Sequence, residues 1–540
     1  MRAVQGIDLN GCGRLRRLLV VVLLLSCCLA VGRFASAQEK VQETVPGLGI
    51  DTLFADNPLD QKAADKEAAK KPFWSDIQWS GYLKNETAYR YKQPRTVTKI
   101  RNIAYLNAQY PYSDKTLFNF SGWAYHDLAY DLFNYQTISG RTQRDADEPL
   151  VFVERLDQQK DSNVAQIREL YGDWHLDGLD LRIGKQYIIW GVLEGIRVVD
   201  ELNPMDFREL ILPELLDYRV SSWSLKADYF LRDSTVEFVF IPDLQFHKPA
   251  PRGSEWELLQ DVCIGQAADI ICVDKKQQSW NFNDAEYGLR WDGRVNDTEL
   301  TLSYLYTYDE FATIFRSIPL DTTLFCSQSN PADAETCINP AFFPTYTRIS
   351  MYGGTAVRQF GRYIVKSEMA FVQGKNFGVR NSADENHDGF VDHDGELKKD
   401  HVRWALGVEF NVAGFDIAPG ITQWIILNHE KILLQDKFDT SLSLFVRKEF
   451  PAQSAVFQLL IIDLVNMKEL LIKPKMTFQI DDRLQLGVGI DLFYGLQSDF
   501  GVQAAQDSGA STFDAGIARA QFIGNFHDND RVYLEFKYSF

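Results

Sequence analysis

Apolar and polar side chains alternate along most of the chain after residue 75, and no long apolar run interrupts this pattern. A helix needs about 20 consecutive apolar residues to cross a bilayer, whereas the longest candidate beyond residue 38, residues 459–465, contains Asp463. A period of two is typical of strands whose two faces meet different environments. Without apolar helices, only a closed barrel satisfies its backbone hydrogen bonds within lipid.

Two stretches show the alternation well. A hairpin is predicted where residues 285–292 and 299–306 flank a turn at 293–297. A soluble β-sandwich would alternate in the same way, but strands of 10–13 residues suit a tilted bilayer crossing of about 9–11 residues. Aromatic residues, 13% of the chain, often lie near strand ends, as interfacial girdles require. The second stretch places Val402, Trp404, Leu406, Val408 and Phe410 on one face, and Arg403, Ala405, Gly407, Glu409 and Asn411 on the other.

The chain ends on one more alternating strand, in which Val532, Leu534, Phe536, Tyr538 and Phe540 share a face. An apolar last strand that closes on a C-terminal Phe resembles the signal read by the bacterial barrel-assembly machinery. We therefore expect that machinery and outer-membrane lipid to be partners of this chain.

The N-terminus predicts export. Arg14, Arg16 and Arg17 directly precede the apolar run 18–31, and Ala35-Ser36-Ala37 forms a small-x-small cleavage site, so residues 1–37 have the order of a secretory signal peptide. The alternative is a lipoprotein signal with lipid on Cys27, although apolar residues follow that cysteine. Residues 38–75 are expected to form a periplasmic linker with a short helix, and residues 76–540 a barrel in the bacterial outer membrane.

The mature part is acidic. Residues 1–37 hold five arginines and one aspartate, so the net charge of −18 becomes −22 without them. This excess of acid argues against a nucleic-acid partner. The four cysteines outside the signal form two close pairs, Cys263 with Cys272 and Cys326 with Cys337. In an oxidising compartment they predict two disulfides, and metal binding is the alternative.

The connections alternate in length, as in outer-membrane barrels with short periplasmic turns and long external loops. Counting candidate strands gives nineteen, but single-chain bacterial barrels have even numbers. We therefore predict an all-β, transmembrane antiparallel barrel of 18 strands, with 16 as the neighbouring possibility. The miscounted strand is expected near residues 454–480 or 513–527.

An acidic run at 384–396 is similar to an EF-hand-type or dockerin-type calcium loop. Oxygen side chains stand at the first, third, fifth and ninth positions, with Gly389 at the sixth, and Ca²⁺ prefers about six to eight oxygen ligands. The twelfth position is Gly395 instead of Glu, and the alternative is a solvated acidic loop. The candidate ligands of a structural calcium ion are Asp384, Asn386, Asp388, Asp392 and Glu396.

A second motif runs from a strand straight into a polar loop at about 190–218. In barrels of this size such a loop can fold inward and narrow the lumen, where charges of both signs set selectivity. The alternative is an external loop held by its own salt bridges. The candidate pore residues are Arg197, Asp200, Asn203, Asp206, Arg208 and Glu209.

The same region resembles a known family. Gly184-Lys185-Gln186, Trp190-Gly191, the Asn203-Pro204-x-Asp206 step and Ile241-Pro242-Asp243 are similar to Gram-negative outer-membrane proteins that contain domain of unknown function 1302. The resemblance implies a barrel over about residues 76–540. It also implies a link to inner-membrane efflux or lipid-trafficking systems of the resistance-nodulation-division type, and it supplies no catalytic residues.

No motif points to an enzyme. The sequence has no Gly-x-Ser-x-Gly elbow and no His-Glu-x-x-His zinc motif, although a barrel-embedded lipase could form a Ser/His pair across strands. The charged face of the predicted strands favours a porin-like channel for small molecules, since many dry buried charges would be costly. The alternatives are a carrier of lipids or other hydrophobic compounds, and a surface barrel that displays loops for adhesion.

Overall fold

The computed structural model describes residues 76–134, 137–138, 162–193, 197–214, 216–250, 254–256, 271–272, 279–280, 282–317, 341–380, 383–495 and 523–540. The expected signal peptide (1–37) and the expected linker (38–75) lie outside these residues, as do the side chains of Cys263, Cys272, Cys326 and Cys337. Export and the two disulfides therefore stay predictions.

Eighteen strands form one sheet in which each strand pairs with its neighbours along the chain. The first strand also pairs antiparallel with the last, from Tyr82 opposite Ser539 to Arg90 opposite Arg531. This pairing closes the sheet on itself, so no edge strand is left exposed. The predicted all-β antiparallel barrel of 18 strands is confirmed.

The remaining strands are short and belong to two small sheets outside the ring, one of β8 and β10 and one of β9, β13 and β14. The described helices are a four-residue α1 (Ala129–Leu132) and short 3-10 turns at Phe207–Glu209, Asp392–Gly395, Pro451–Gln453 and Gly524–Phe526. The strands are β1 (Gln78–Arg90), β2 (Thr96–Ser113), β3 (Thr116–Asp127), β4 (Asn163–Leu176), β5 (Leu179–Gln186), β6 (Ser222–Phe230), β7 (Ser234–Ile241), β8 (Asp243–Leu244), β9 (Ile271–Cys272), β10 (Ser279–Trp280), β11 (Glu286–Val295), β12 (Thr298–Tyr308), β13 (Thr313–Ser317), β14 (Ala341–Thr345), β15 (Arg348–Phe360), β16 (Tyr363–Gly378), β17 (Glu396–Val412), β18 (Phe415–Ile426), β19 (Phe438–Phe450), β20 (Ala455–Leu464), β21 (Glu469–Gln479), β22 (Leu484–Tyr494) and β23 (Arg531–Ser539).

The two ends of the barrel differ. At one end, the turn end, strands are joined by two to four residues, as at Asn296-Asp297 and Ala413-Gly414, where both residues of each pair have positive φ. Such left-handed pairs suit the twist of a tight hairpin. At the opposite loop end the connections reach 187–221, 242–285 and 309–347. The expected alternation of short turns and long loops is therefore present.

The nineteenth candidate strand does not exist among the described residues. Residues 454–480 do form two separate strands, β20 and β21, joined by residues 465–468 at the loop end. Of the other candidate stretch, 513–527, residues 523–527 form a 3-10 turn and its flanks instead of a strand, and residues 513–522 lie outside the described residues. Both ends of the ring, Gln78 of β1 and Ser539 of β23, consequently lie at the turn end.

The barrel wall is apolar outside and polar inside. On β17, Leu406 on the outer face is 40% exposed, while Arg403 on the inner face is 3% exposed. Large apolar side chains such as Leu302, Met369 and Leu534 likewise face outward. An exposed apolar band around a closed barrel is what a bilayer-spanning barrel presents to lipid. Among the described residues, no helix combines the length and apolar character that a membrane crossing requires.

Candidate functional site: a loop folded into the barrel

The connection between β5 and β6, residues 187–221, enters the barrel; we call it the inserted segment. Its first half contacts β16 through Glu368, and its second half contacts β2 through Lys99 and Arg101. β2 is the second and β16 the eleventh strand of the eighteen in the ring, so they stand on opposite walls. The inserted segment therefore crosses the lumen.

A buried carboxylate holds the first half of the segment. Glu368, 2% exposed on the inner face of β16, accepts backbone N–H groups from Val192 (2.6 Å), Leu193 (2.7 Å) and Val199 (3.3 Å). Hydrogen bonds to a charged acceptor are stronger than neutral ones. Since three otherwise unpaired amides converge on it, Glu368 fixes the backbone path at this wall.

The same half packs into an apolar core. Trp190, Val198, Val199 and Leu202 of the segment are nearly fully buried against residues of β7, β12, β15, β16 and β17. The Trp190 indole N–H also donates to Glu237 on β7 at 2.5 Å. Apolar side chains therefore fill one side of the lumen and leave no room for water there. The wall residues of this cluster are Val239, Ile241, Leu305, Ile349, Met351, Ala370, Val372 and Ala405.

Polar side chains tie the two ends of the segment together. The Asn203 side chain accepts the N–H of Ile188 (2.7 Å) and donates to the carbonyl of Val220 (3.1 Å). Asp200 accepts the Trp190 N–H (3.3 Å) and forms a buried ion pair with Arg219. These contacts close the segment into a compact lobe.

One more ion pair joins the lobe to the wall. Glu201 pairs with Arg403 on β17 and lies 3.7 Å from Arg197. Burial alone would raise the pKa of Glu201, but the Arg197 and Arg403 charges outweigh burial and lower the pKa to about 2. Glu201 is therefore an anion at neutral pH.

The second half of the segment meets the opposite wall through charges. Glu209 pairs with Lys99 (2.7 Å) and with Arg101 on β2. Lys99 also contacts Glu86 at 2.5 Å, and Arg101 lies 3.5 Å from Asp127. Burial raises the pKa of Glu209, but Arg101 and Lys99 together lower it to about 2.

A turn at residues 214–218 follows and faces β1, β4, β21 and β23. Arg168 of β4 donates to the carbonyls of Leu216 and Asp217, the latter at 3.0 Å. On the other side, Lys475 of β21 lies 3.3 Å from Glu214. The Glu214 side chain is 60% exposed, so water reaches this turn within the barrel.

At the loop end, the second half of the inserted segment meets two other loops. Leu210 and Leu212 of the segment pack with Trp256 of the 242–285 loop and Phe526 of the 495–530 loop. Their partners on the wall are Ile462, Leu471 and Phe493 of β20 to β22. Arg531 lies over the Trp256 ring at 5.1 Å and pairs with Asp491. This cluster covers part of the lumen from the loop end.

The six sequence-predicted pore residues all lie in the inserted segment, but they have different environments. Asp200 and Asn203 are buried within the lobe, Arg197 donates to backbone carbonyls of residues 200 and 203, and Arg208 pairs with Asp206 at 2.5 Å. Glu209 alone among them forms ion pairs with the barrel wall opposite. A role in selectivity stays a prediction for these six residues.

Sequence reasoning missed Glu214, Asp217, Glu368 and Arg168. Glu214 and Asp217 follow the predicted motif directly after Pro213, within the same acidic stretch, which is a signal that could have extended the motif. Glu368 and Arg168 stand at inward positions of alternating strands. Nothing local distinguishes them from other inward charges, because their partners are set by the path of a distant loop.

In the expected calcium loop, acidic side chains accept hydrogen bonds from the backbone of the loop itself. Asp384 accepts the N–H groups of Asp388 (3.0 Å) and Gly389 (3.3 Å), and Asp392 accepts that of Glu385 (2.6 Å). Glu396 begins β17. Within the described ranges, no three His, Cys, Asp or Glu residues group as a metal site would. Calcium binding by Asp384, Asn386, Asp388, Asp392 and Glu396 stays a prediction.

Fold and site together define a single-chain β-barrel whose lumen is crossed by its own loop. The chain belongs to the family described as Protein of unknown function (DUF1302), which matches residues 84–394. The resemblance found in the sequence is thereby confirmed. A search of curated protein sequences finds no significant match.

Several solved structures are similar to this chain at a low level. Pseudomonas aeruginosa OccK8 (OprE) is 10% identical, with a TM-score of 0.43 over 87% of this chain and 99% of that chain. The P. aeruginosa outer membrane protein OpdK is 9% identical, with a TM-score of 0.42 over 86% and 99%. Acinetobacter baumannii OccAB4 is 9% identical, with a TM-score of 0.42 over 86% and 98%. Similarity at this level assigns no substrate to this chain.

Proposed function

We propose that this protein is a channel in the bacterial outer membrane for small polar solutes, narrowed by the inserted segment. The proposal rests on one observation: the inserted segment, residues 187–221, contacts opposite walls of the closed ring and so crosses its lumen. An 18-strand ring is wide enough for an aqueous lumen. The outward apolar band supports a position in lipid, and the exposed Glu214 supports water inside.

Paired charges support a polar path. On the inner wall Lys84 lies 2.6 Å from Glu86, Lys475 lies 2.7 Å from Glu535, and Arg182 lies 2.6 Å from Asp173. Groups of both signs that line a lumen set its selectivity among ions and polar solutes. The charged lining therefore suits hydrated solutes better than lipids.

Single-channel recording in planar bilayers tests the proposal. The folded barrel should give steady conductance steps that are smaller than those of a variant with residues 206–218 replaced by a short Gly/Ser linker. A folded wild-type barrel that passes no current would contradict an open channel. Heat-modifiable migration on gels would show in each case that the barrel is folded.

A second candidate, a carrier of hydrophobic molecules, has one observation in its favour. Ile211, Leu460 and Leu464 are partly exposed beside the apolar cluster at the loop end, so a strip of apolar surface faces the lumen there. A silent but folded barrel that binds a fluorescent fatty acid, with loss of binding on Leu460→Asp, would favour this candidate over the channel.

A further inference from the structure

Residues 205–207, where the first half of the inserted segment passes into the second, are held by a neighbouring loop; we call them the joint. Met205 is fully buried and forms a β-bridge with Arg219 near the end of the segment. The Lys248 N–H donates to the Met205 carbonyl, and the Phe207 N–H donates to the Lys248 carbonyl, both at 2.8 Å. A change at residues 247–248 of the 242–285 loop therefore acts on both halves of the segment.

The histidine next to Lys248 has two partners on one nitrogen. The His247 Nδ1 atom accepts the Met205 N–H at 2.9 Å and also lies 2.9 Å from the Glu310 Oε2 atom. The His247 and Glu310 side chains are only 7% and 4% exposed, and among the described residues no hydrogen-bond donor reaches Glu310 Oε2. The rings of Phe207 and Phe311 flank the imidazole, with centroid distances of 5.1 and 4.4 Å, and limit its rotation.

One proton decides which of these two contacts is favourable. A neutral imidazole carries its hydrogen on one nitrogen only. When Nδ1 has no hydrogen it accepts the Met205 N–H, and the nearby Glu310 oxygen must then carry a proton, because an ionised carboxylate would be repelled by the nitrogen lone pair. When Glu310 is ionised, Nδ1 must carry the hydrogen and donate it to the carboxylate, so the Met205 N–H loses its acceptor. The contact between Met205 and His247 therefore requires the Glu310 proton.

The surroundings keep that proton on Glu310. Burial raises the pKa of the Glu310 carboxyl well above its ordinary value; the Arg197 charge offsets part of this, and the Glu201 and Asp309 carboxylates add to it. Burial and the Arg197 charge lower the pKa of His247 to about 3, while Glu201 and Asp309 act in the opposite direction. The imidazole is therefore uncharged at neutral pH, and the held joint is lost as the pH rises through the raised pKa of Glu310.

The cations around the pair already have carboxylate partners. Glu201 pairs with Arg403 and lies 3.7 Å from Arg197, and Lys375 pairs with Asp309. An ionised Glu310 would consequently be a buried charge without a cation of its own, which is costly. The charged and titratable groups that face the pair from the surrounding elements are Arg197, Asp200, Glu201, Asp206 and Arg208 of the segment, Glu286 of β11, Asp309 of the 309–347 loop, Arg348 of β15, Lys375 of β16, and His401 and Arg403 of β17.

From these contacts we propose that Glu310 and His247 form a proton switch at the joint of the inserted segment. With the proton on Glu310, His247 holds Met205 and the segment keeps its path across the lumen. When Glu310 gives its proton to water, the imidazole hydrogen moves from Nε2 to Nδ1, the Met205 contact ends and the segment loosens. The inference rests on the proposed channel function and names a regulation of its constriction by the pH at the loop end.

Single-channel recording at rising pH tests the switch. Between about pH 7 and 10, brief high-conductance events of the wild type should become about tenfold more frequent, as expected when a buried hydrogen bond worth about 1.4 kcal/mol is lost. Glu310→Gln still offers an N–H to Nδ1 but cannot ionise, so its record should not change with pH. The matched control is Glu385→Gln, an exposed glutamate in the 379–395 loop, which should keep the wild-type response.

The imidazole gives a second readout that does not depend on current. In folded barrel labelled with isotopic histidine, the His247 nitrogen signals are those missing from His247→Gln. Nδ1 should lack a hydrogen at neutral pH and carry one in alkali.

A hydrogen already on Nδ1 at neutral pH, or no change in alkali, would overturn the inference. An equal rise of current events in Glu310→Gln would do the same. A barrel that changes its His247 tautomer but passes no current would defeat the channel proposal and leave the switch intact.

Discussion

The two halves of the inserted segment are held at opposite walls of the barrel by different kinds of interaction. Among the described residues of 187–205, Ile188, Trp190, Val198, Val199 and Leu202 lie in an apolar core, and three backbone amides donate to the buried Glu368. Residues 206–218 are held at the wall by ion pairs and by Arg168, with Glu214 exposed to water. The first half is built like the interior of a soluble protein, whereas the second half combines buried ion pairs and the buried Leu210 and Leu212 with one water-exposed turn at Glu214.

This difference assigns the support of the segment to its first half and the selection of solutes to its second half. Buried hydrogen bonds and packed side chains lose much when one partner is removed, so the first half is rigid. Exposed ion pairs contribute little, so the exposed Glu214 can exchange its partner at little cost, whereas the buried Glu209 cannot. The following predictions test this division.

The largest effect is expected for Glu368→Ala. The substitution leaves the buried N–H of Val199 and the part-buried N–H groups of Val192 and Leu193 without their acceptor, at about 1–3 kcal/mol for a fully buried group left unpaired. The segment should leave its wall, and the single-channel conductance should rise severalfold with larger current noise. Glu299→Ala is the matched control, because that glutamate is exposed and its side chain pairs with Arg294 at the turn end, away from the inserted segment. Unchanged conductance in Glu368→Ala would contradict the role of Glu368 as the main support.

A smaller effect is expected for Arg168→Gln. Its guanidinium holds two carbonyls of the 214–218 turn and lies over the Trp123 ring at 4.1 Å. Loss of this fork should loosen the turn and shift the reversal potential in a salt gradient, while conductance changes by less than in Glu368→Ala. Arg168→Lys keeps the charge without the planar fork, so it should recover only part of the wild-type selectivity. Full recovery by Lys would show that charge alone matters here.

Acid should act on the second half through Glu209. Its pKa of about 2 lies below the ordinary 4.5, so its ion pairs stabilise the held segment fully above about pH 4.5. That stabilisation is lost as the pH falls from 4.5 towards 2. Conductance should be constant from about pH 7 to 5 and rise below about pH 3. The Glu209→Gln channel should show the low-pH behaviour already at pH 7, and a wild-type change near pH 6 would contradict this assignment.

The smallest effect is expected from salt. Raising the ionic strength from about 0.1 to 1 M shortens the Debye length from about 10 to 3 Å. The exposed Glu214–Lys475 pair should weaken, so ion selectivity should fall while conductance scales with bulk conductivity. The buried first half should not respond. A salt-dependent rise in current noise like that of Glu368→Ala would show that the first half also depends on screened charges, and would contradict the difference between the two halves.

Much of the fold could be predicted from the sequence because it follows from local rules. Alternation gives the two faces of each strand, and short turns such as Ala413-Gly414 mark one end. The count of nineteen exceeded the eighteen strands of the ring by one, because alternation alone cannot tell a strand from an irregular segment with the same pattern. A closed ring in which every neighbouring pair is antiparallel needs an even number of strands, as bacterial single-chain barrels have, and that rule corrected the count.

The site was predicted only by region. The polar loop after β5 was found, but Asp200 and Asn203, which looked like pore residues, hold the lobe together. Glu214 and Glu368 were missed, because their roles depend on which strand stands opposite. Closure of the ring places β16 across from β2, and no local pattern carries that information.

The inserted segment also constrains the order in which the barrel can assemble. Its partner Arg168 precedes it in the chain, whereas Glu368 and Lys475 follow their contacts by up to 176 and 261 residues. Loop-closure entropy delays such distant contacts. A completed ring would have to admit a bulky lobe with Trp190 at its centre, whereas an open sheet can curl around that lobe. We therefore expect residues 187–221 to act as an internal scaffold around which the later strands close. Variants that displace this segment should slow assembly even where the finished barrel is stable.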